Sequence, residues 1–553
     1  MLVMLPVARL ARRVRGIVRP NVRVTAPPAD IRVEQDVAIT VRDGTILRAN
    51  VYRPNADEPV PALMCAHPYG KDALPRKFLG RYLTLPQYRV FRQPQQVVFS
   101  AYTGWEAPDP AFWVAQGYAV VNLDLRGFGS SDGTGELLGD QQGEDEHDVI
   151  EWVAQQAWCT GRVGLAGVSY LAISQYRAAA TRPPHLAAIC PWEGFSDFYR
   201  DFACPGGVQE NGFLAMWSRM TLRAGRVQQD PLAEQQARPL VDEWWQSRNP
   251  QLEAIQVPML VCGSFSDHLL HTRGSFEAFR RVGSTQKWLY THRGGKWCTF
   301  YSDEATQTQL RFFDHFLRDA DNGWDQEPAV RIAIHDEGSA PVEIRHTSDW
   351  PPPDVAWQEL HLTPAGTLED APPTETGEAS WVNADGSTRF VWTAPHPMTL
   401  IGPMVVELAA SVADADDATV LAAVRLMRDG REVTFEGSYG FDRDVVTHGW
   451  LRVSHRALDP EHSRPWLPVH LHTERHPVGA GEIVPLQIPL LPQATRLRTG
   501  DQLVLELRSS WLFARNPITG QLPARYTVDT DGSTMLHLGG GRRNVLHIPV
   551  AED

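Results

Sequence analysis

Between Val33 and about Asp325, short apolar runs alternate with helix-length amphipathic segments. The runs are apolar throughout, which is typical of strands buried on both faces of a parallel sheet. The intervening segments are long enough to form the crossover helices that parallel strands require. The runs are Ala62–Ala66, Ala119–Leu125, Val163–Val168, Ala187–Pro191, Met259–Gly263 and Lys287–Tyr290. The pattern predicts an α/β domain in which helices cover both faces of the sheet.

Three other regions depart from this alternation. Residues 196–251 are rich in Gln, Arg and Trp and are interpreted as a helical cap inserted into the α/β domain, which then comprises residues 33–195 and 252–325. Beyond Asp325, strand-length runs are separated by Gly, Pro and Asp, so residues 326–553 are predicted to form a jelly-roll β-sandwich. Residues 1–32 are interpreted as an N-terminal arm.

Composition excludes several classes of protein. The 553 residues include 52 Lys and Arg against 66 Asp and Glu, a net charge of −14, so no nucleic-acid partner is expected. No window of about 18 apolar residues predicts a membrane span. Arginines follow the apolar N-terminal residues instead of preceding them, unlike a secretory signal. Six scattered cysteines are typical of free thiols, so we expect a cytoplasmic protein. The sequence leaves a homo-oligomer open.

The strongest chemical signal is a serine in a strand–turn–helix context. Ser169 lies in the sequence Gly167-Val168-Ser169-Tyr170, after a predicted strand and before a predicted helix. A nucleophile elbow has this arrangement, which exposes a serine hydroxyl at the carboxyl edge of the sheet. Leu171 occupies the position where the motif usually has a second glycine. Gly-x-Ser alone is weak, and an ordinary turn serine is the competing interpretation.

Two downstream residues complete a possible triad. Asp267 follows the strand that ends near Gly263, and His292 follows the next strand. The chain order serine, acid, histidine is that of α/β hydrolases. We therefore predict Ser169 as nucleophile, His292 as general base and Asp267 as the carboxylate that orients it. His268 and His271 lie near Asp267 but are interpreted as residues of a helix surface, and no metal site is predicted.

At these residues the chain resembles the cocaine-esterase-like (CocE/NonD) hydrolases, which are related to the X-Pro dipeptidyl-peptidases and the α-amino-acid ester hydrolases. The matching stretches are His67–Lys71, Asp124–Gly133, Gly167–Tyr170, Pro191–Gly194, Phe265–Asp267, His292, Gly449–Arg456 and Gly481–Leu490. The resemblance extends from about Val33 to Pro549. It implies an α/β-hydrolase fold with a helical cap, followed by a galactose-binding-like jelly roll.

The resemblance also implies an oxyanion hole and a substrate class. Its donors are expected to be the Tyr69 hydroxyl and the backbone N–H of Tyr170, with no cofactor. The substrate is expected to be a small-molecule ester or amide. Candidate substrate-binding residues, each equally explicable by packing or ion pairing, are Trp192, Glu193, Phe265, Phe213 and Trp217.

Several functions remain open at this stage. Hydrolysis of carboxylic esters through an acyl-enzyme is the first choice. An X-Pro dipeptidyl-peptidase or an α-amino-acid ester or β-lactam acylase is the second, because carboxylates near the nucleophile could hold a substrate ammonium. Those carboxylates are Glu193, Asp197, Asp201 and Glu210. An acyltransferase and a non-catalytic binding scaffold are further alternatives.

Overall fold

A computed structural model describes residue 11, residues 14–513 and residues 524–552. Its largest element is a ten-stranded sheet, in which seven neighbouring strands are parallel. In sheet order the strands are Glu343–Thr347, Val330–Ile334, Lys287–His292, Met259–Ser264, Leu186–Trp192, Cys159–Val168, Val60–His67, Ala119–Asp124, Ile46–Pro54 and Ile31–Thr40. All six predicted apolar runs lie on these strands, so the predicted parallel sheet is confirmed.

Helices flank this sheet. They are Pro110–Ala115, Asp140–Ala154, Tyr170–Ala180, Thr272–Arg281, Lys296–Phe300 and Asp303–Arg318, with the short Gln87–Val90 near the surface. Separate apolar clusters, one containing Ile150 and Tyr176 and the other Trp113 and Phe313, pack against the sheet. The sheet is therefore buried by helices, as the uninterrupted apolar strands require.

The segment between strands Leu186–Trp192 and Met259–Ser264 is helical, as predicted for the cap. Its helical elements are Phe198–Ala203, Pro205–Gly207, Phe213–Ala224, Pro231–Ala237, Glu243–Ser247 and Leu252–Ala254. Aromatic side chains connect it internally, because Phe198 contacts the rings of both Trp217 and Trp245. The Trp-rich composition that distinguished this segment is thus explained by packing within the cap.

The C-terminal part contains two antiparallel sheets of nine and five strands that share one apolar core. The larger sheet comprises Val355–Leu362, Leu368–Glu369, Gly377–Val382, Met398–Gly402, Val405–Ala413, Val484–Pro489, Gln493–Leu497, Ser533–Leu538 and Val545–Ala551. The smaller sheet comprises Ser387–Thr393, Thr419–Arg428, Arg431–Val433, Thr447–Arg452 and Gln502–Arg508. This confirms a C-terminal region made mostly of strands.

Two predicted boundaries need correction. The ten-stranded sheet includes Val330–Ile334 and Glu343–Thr347, so a boundary after Asp325 separates two strands from the sheet with which they pair. The sheet also starts at Ile31, inside the predicted arm. Residues 14–18 of that arm are helical, and Val22–Thr25 pairs with Val97–Ser100. The arm's residues 1–10 and 12–13 lie outside the described residues.

A β-hairpin of the C-terminal domain reaches the carboxyl edge of the parallel sheet. It consists of strands Phe435–Gly437 and Phe441–Asp444. Backbone bonds join Ser438 to Ser266 and to Lys296. The Arg293 guanidinium, fully buried, donates to the carbonyls of Val445 and Val446 and lies 3.9 Å from the centre of the Phe435 ring. The C-terminal domain therefore forms one wall of whatever site lies at this edge.

Candidate active site

Ser169 stands at a sharp turn between strand Cys159–Val168 and helix Tyr170–Ala180. Its backbone has φ 60° and ψ −116°, a left-handed conformation that costs a non-glycine residue energy and often marks a functional site. Gly167 permits the turn, because a Cβ at that position would lie 2.6 Å from the Cβ of Leu171. The non-glycine residue Leu171 is thus accommodated by filling the space above Gly167.

A histidine and a carboxylate form a chain of hydrogen-bond contacts that begins at the serine hydroxyl. The Oγ of Ser169 lies 3.3 Å from Nε2 of His271, and Nδ1 of His271 is hydrogen-bonded to a carboxylate oxygen of Asp267. His271 and Asp267 are both buried, and the Phe195 ring stacks against the imidazole. When Nδ1–H donates to Asp267, Nε2 presents its lone pair to the serine hydroxyl. This is the geometry of a general base acting on a nucleophile.

His292 was predicted to accept the proton of Ser169, but the structure places His271, and not His292, beside the Ser169 hydroxyl. Nδ1 of His292 accepts the backbone N–H of Gly294, so a neutral ring carries its proton on Nε2 and donates it to Glu193, 3.0 Å away. No lone pair then remains to accept a proton from Ser169. Among the described residues, no hydrogen bond joins His292 to Ser169 or Asp267.

His268 and His271 were expected on a helix surface, and both are buried instead. His271 is the residue that precedes helix Thr272–Arg281, and the N–H groups of residues 270–272 bond back to the carbonyl of Asp267. That turn brings positions 267 and 271 to the same side. His268 points the other way, with Nδ1 3.2 Å from the carboxylate of Asp444.

A buried lysine completes the charge distribution. Nζ of Lys296 lies 2.6 Å from Asp267 and 2.8 Å from Nδ1 of His271, and donates to the Tyr439 hydroxyl at 3.2 Å. Burial would lower the pKa of Lys296, but Asp267, Glu193 and Glu106 raise it overall, so the lysine remains an ammonium. Burial would raise the pKa of Asp267, but Lys296 and His271 outweigh it and lower that pKa.

These charges also act on the proposed base. Burial is the largest cause that lowers the pKa of His271, and the Lys296 ammonium lowers it further. Asp267 acts in the opposite direction but does not outweigh them. The imidazole therefore stays neutral at a lower pH than an ordinary histidine. A neutral imidazole is the form that can accept a proton from a hydroxyl.

The predicted oxyanion donors are the Tyr69 hydroxyl and the backbone N–H of Tyr170. Tyr170 is the first residue of its helix, so its N–H is one of those that no helical carbonyl reaches. The rings of Tyr69 and Tyr170 are 6.5 Å apart in an edge-on contact. Burial, and then the Glu106 carboxyl, raise the pKa of Tyr69 well above its ordinary value. The phenol therefore keeps its proton and can donate it in a hydrogen bond.

Glu106 is a buried acid that the sequence analysis did not identify. Burial raises the pKa of its carboxyl to about 8, helped by Asp267 and Glu193 and opposed by Lys296. Its Oε2 is buried without a hydrogen-bond partner among the described residues. At neutral pH Glu106 is mostly uncharged, so the site combines Lys296 with the carboxylates of Asp267 and Glu193.

The five candidate substrate-binding residues separate into two groups. Phe213 and Trp217 belong to the cap and contact Tyr439 and Tyr170 respectively, beside the predicted oxyanion donors. Trp192 packs in a core with Tyr290 and Phe300, and Phe265 packs against Phe276 and Trp350. Glu193 is bonded to His292 and Ser438. Of the five, Phe213 and Trp217 are the two that contact Tyr439 and Tyr170 from the cap, and their role in binding substrate stays a prediction.

Sequence reasoning assigned His271 to a helix surface and did not place Lys296 or Tyr439 beside the triad. The spacing of four between Asp267 and His271 was visible, but it is informative only if the intervening residues form a helical turn. Tyr439 lies about 270 residues from Ser169, and only the packing of the two domains brings it to the site.

Comparisons with known proteins support both domains. The family model of the X-Pro dipeptidyl-peptidase (S15 family) matches residues 43–295, and that of the X-Pro dipeptidyl-peptidase C-terminal non-catalytic domain matches residues 322–547. A cocaine esterase from Rhodococcus sp. (strain MB1 Bresler) is 25% identical over 601 residues, covering 93% of this chain and 98% of the esterase. A putative Xaa-Pro dipeptidyl-peptidase from Bacillus cereus is 26% identical over 280 residues, covering 45% of this chain and 47% of that protein.

Solved structures agree with this grouping. A CocE/NonD family hydrolase from Staphylococcus aureus has a TM-score of 0.89 and 34% identity, with 94% of each chain covered. An α-amino acid ester hydrolase has a TM-score of 0.69 at 17% identity, covering 94% of this chain and 96% of that one, which shows a shared fold. With its S15-type first domain and its C-terminal non-catalytic domain, this chain is an enzyme that belongs to the CocE/NonD family of hydrolases.

Proposed function

We propose that the protein is a serine hydrolase that cleaves carboxylic esters through an acyl-enzyme on Ser169. One observation carries the proposal: at a strained elbow, the Ser169 hydroxyl faces Nε2 of an imidazole whose Nδ1 is held by a buried carboxylate. His271 is proposed as the base in place of His292. The predicted α/β-hydrolase fold and jelly roll are part of the proposal, supported by the parallel sheet and the paired antiparallel sheets.

The reaction follows from these contacts. His271 Nε2 takes the proton of Ser169 as Oγ attacks the ester carbonyl carbon, and Asp267 stabilises the resulting imidazolium. The tetrahedral oxyanion is held by the Tyr69 hydroxyl and the Tyr170 N–H. His271 then protonates the departing alkoxide, which leaves as an alcohol. Water, deprotonated by the same imidazole, attacks the acyl-enzyme and releases the carboxylic acid.

The partners of four carboxylates within the protein favour an ester over a substrate with a free amino group. Asp197 is paired with Arg200 and Asp201 with Arg273, while Glu210 accepts three backbone N–H groups at the start of helix Phe213–Ala224. Glu193 is engaged by His292 and Ser438. All four are satisfied within the protein, and Glu106 is mostly uncharged at neutral pH. An X-Pro dipeptidyl-peptidase remains the second candidate, because the relatives include such enzymes.

Six free cysteines, all buried, support the proposed location in a reducing cytoplasm. Among the described residues, no helix is both long and apolar enough to cross a bilayer.

The direct test is labelling with a fluorophosphonate, followed by peptide mass spectrometry and a substrate screen. We expect the added mass on Ser169, no labelling of Ser169→Ala, and faster turnover of p-nitrophenyl esters than of Xaa-Pro-p-nitroanilides. Faster turnover of the anilides would replace the esterase assignment with a dipeptidyl-peptidase. Transfer of the acyl group to an added alcohol, without release of acid, would identify an acyltransferase. A folded protein that is not labelled would contradict the proposal.

A further inference from the structure

One face of the molecule combines exposed apolar side chains with unpaired cations. Thirteen large apolar side chains are exposed among the described residues, and nine of them belong to three segments: residues 14–18, 78–90 and 220–222. Phe78 and Leu79, at the tip of the hairpin formed by Lys77–Phe78 and Arg81–Tyr82, are 61% and 87% exposed. Isolated apolar residues on a surface are ordinary, whereas such a concentration marks an interaction surface.

The three segments are neighbours in space. A groove of about 680 Å³ lies between residues 73–91 and the cap helix Phe213–Ala224, which contributes Met216 and Met220 to it. A second groove, of about 630 Å³, runs along the other side of the same helix and shares both methionines. The N-terminal helical residues join this face through a bond from Arg89 to the carbonyl of Ile17. We call this combined surface the basic–apolar face.

The charge on this face opposes the charge of the whole protein. Its three stretches, residues 14–23, 73–92 and 211–226, contain no Asp or Glu, although the chain carries a net charge of −14. Its exposed cations are Arg15, Arg19, Arg23, Arg76, Lys77, Arg81, Arg89, Arg219, Arg223 and Arg226. In the part of the chain that the structure describes, ion pairs join many surface arginines to carboxylates, but none involves these ten.

From this combination we infer that the basic–apolar face binds the surface of an anionic lipid bilayer. Basic residues are attracted to the negative surface of an anionic bilayer, and apolar side chains beside the cations can enter the interfacial region. A second copy of the chain fits the face less well, because a two-fold interface would set the cations of one copy against those of the other.

The basic–apolar face lies next to aromatic residues that contact the candidate active site, so binding to a bilayer would serve access of substrate. Phe91 lines the apolar groove, and its ring contacts Phe213, Trp297 and Tyr439. Tyr439 in turn binds Lys296 in the candidate active site. One cluster of aromatic rings therefore joins the base of the groove to the candidate active site, where an apolar ester taken from the bilayer would react. This use rests on the proposed function, whereas binding to the bilayer does not.

The test is co-flotation of the full-length protein with vesicles. We expect binding to phosphatidylcholine vesicles that contain about 30 mol % phosphatidylglycerol, little binding to pure phosphatidylcholine, and weakening at about 0.5 M salt, where charges are screened. The double variant Arg76→Glu/Arg219→Glu should bind at least tenfold more weakly. Phe78→Ser/Leu79→Ser should also weaken binding, and it should leave the salt dependence in place.

The matched control is Arg182→Glu/Arg542→Glu, which reverses two exposed arginines elsewhere on the surface. It should bind as the wild type does. Ser169→Ala should also bind normally, which separates this inference from the proposed catalysis. Equal binding by Arg76→Glu/Arg219→Glu and by the control Arg182→Glu/Arg542→Glu would overturn the inference. Self-association that is lost in Arg76→Glu/Arg219→Glu, without vesicle binding, would assign the face to a second copy, and binding to polyglutamate alone would assign it to an acidic protein.

Discussion

Buried histidines occur both around Ser169 and between the two domains, and the protein surrounds them differently. His271 is held by Asp267 and faces a hydroxyl, with Lys296 beside it. Between the domains, His448, His470 and His472 line a cavity of about 80 Å³, and neither ring nitrogen of His448 has a hydrogen-bond partner among the described residues. Burial lowers the pKa of His448 and His472 well below the ordinary value, and that of His470 to about 4.

The difference shows what burial can and cannot supply. Burial alone keeps an imidazole neutral, but a neutral imidazole becomes a base only if a carboxylate can stabilise its cation and a proton donor faces its lone pair. His271 meets both conditions. Among the described residues, His448 meets neither, so its protonation costs folding free energy instead of supporting chemistry.

The largest expected effect distinguishes His271 from His292. His271→Ala should lower kcat/KM for an activated ester by about 10³-fold or more, because it removes the group that takes the serine proton. His292→Ala should cost far less, since His292 braces Glu193. Steady-state kinetics at the pH optimum, with melting temperatures as a folding check, measure both. A greater loss in His292→Ala would return the role of base to His292.

The same contrast between the two regions applies to buried tyrosines. Tyr69→Phe should lower kcat by about 10²-fold, with little change in stability, because one oxyanion donor is lost. Tyr526→Phe is the matched control, since Tyr526 packs against Trp450 in the C-terminal domain. It should leave kcat unchanged. An unchanged kcat in Tyr69→Phe would reduce Tyr69 to a packing residue.

A smaller effect tests whether Lys296 adjusts the base. In wild type the acid limb of kcat/KM should have its midpoint below pH 6.5, because the pKa of His271 is lowered. Lys296→Met removes a cation that disfavours the imidazolium, while the carboxylates of Asp267 and Glu193 remain. The midpoint should therefore rise by about one pH unit, and Lys296→Arg should restore it.

Only the pH profile can assign Lys296 this positioning role. A loss of activity that is equal at every pH would indicate that Lys296 merely holds the structure together.

The smallest effect concerns stability. Unfolded histidines bind protons below about pH 6.5, whereas the buried interdomain ones do so only at lower pH, so their contribution to the free energy of unfolding is present above pH 6.5 and lost as pH falls toward 4. His448→Phe keeps the ring contacts with His268 and Trp511 and removes one such group.

This variant should lose less stability on acidification than wild type, by up to about 1.4 kcal/mol per unit of pKa difference. Urea unfolding at pH 7.5 and 5 measures it, with His396→Phe, at an exposed position, as control. An equal loss in His448→Phe and wild type would show that the interdomain histidines do not set acid sensitivity.

Sequence patterns predicted the parts of the site that depend on strand ends. Ser169, Asp267 and His292 were all predicted just beyond strands; in the structure Ser169 and Asp267 follow strands, and His292 is the last residue of its strand. The choice between His292 and His271 could not be made in that way. Both lie within reach of the same sheet edge, and the direction of each ring depends on Glu193, Gly294 and the turn after Asp267.

The sequence by itself determined the parallel sheet, the cap and the strand-rich C-terminal region, because apolar periodicity reflects burial within each element. It also determined the elbow at Ser169, since a strand, a small-residue turn and a helix are local features. Only the tertiary structure decided which imidazole faces Ser169, and that Lys296 and Tyr439 join it. Those contacts connect residues far apart in the chain, and their geometry depends on how the two domains pack.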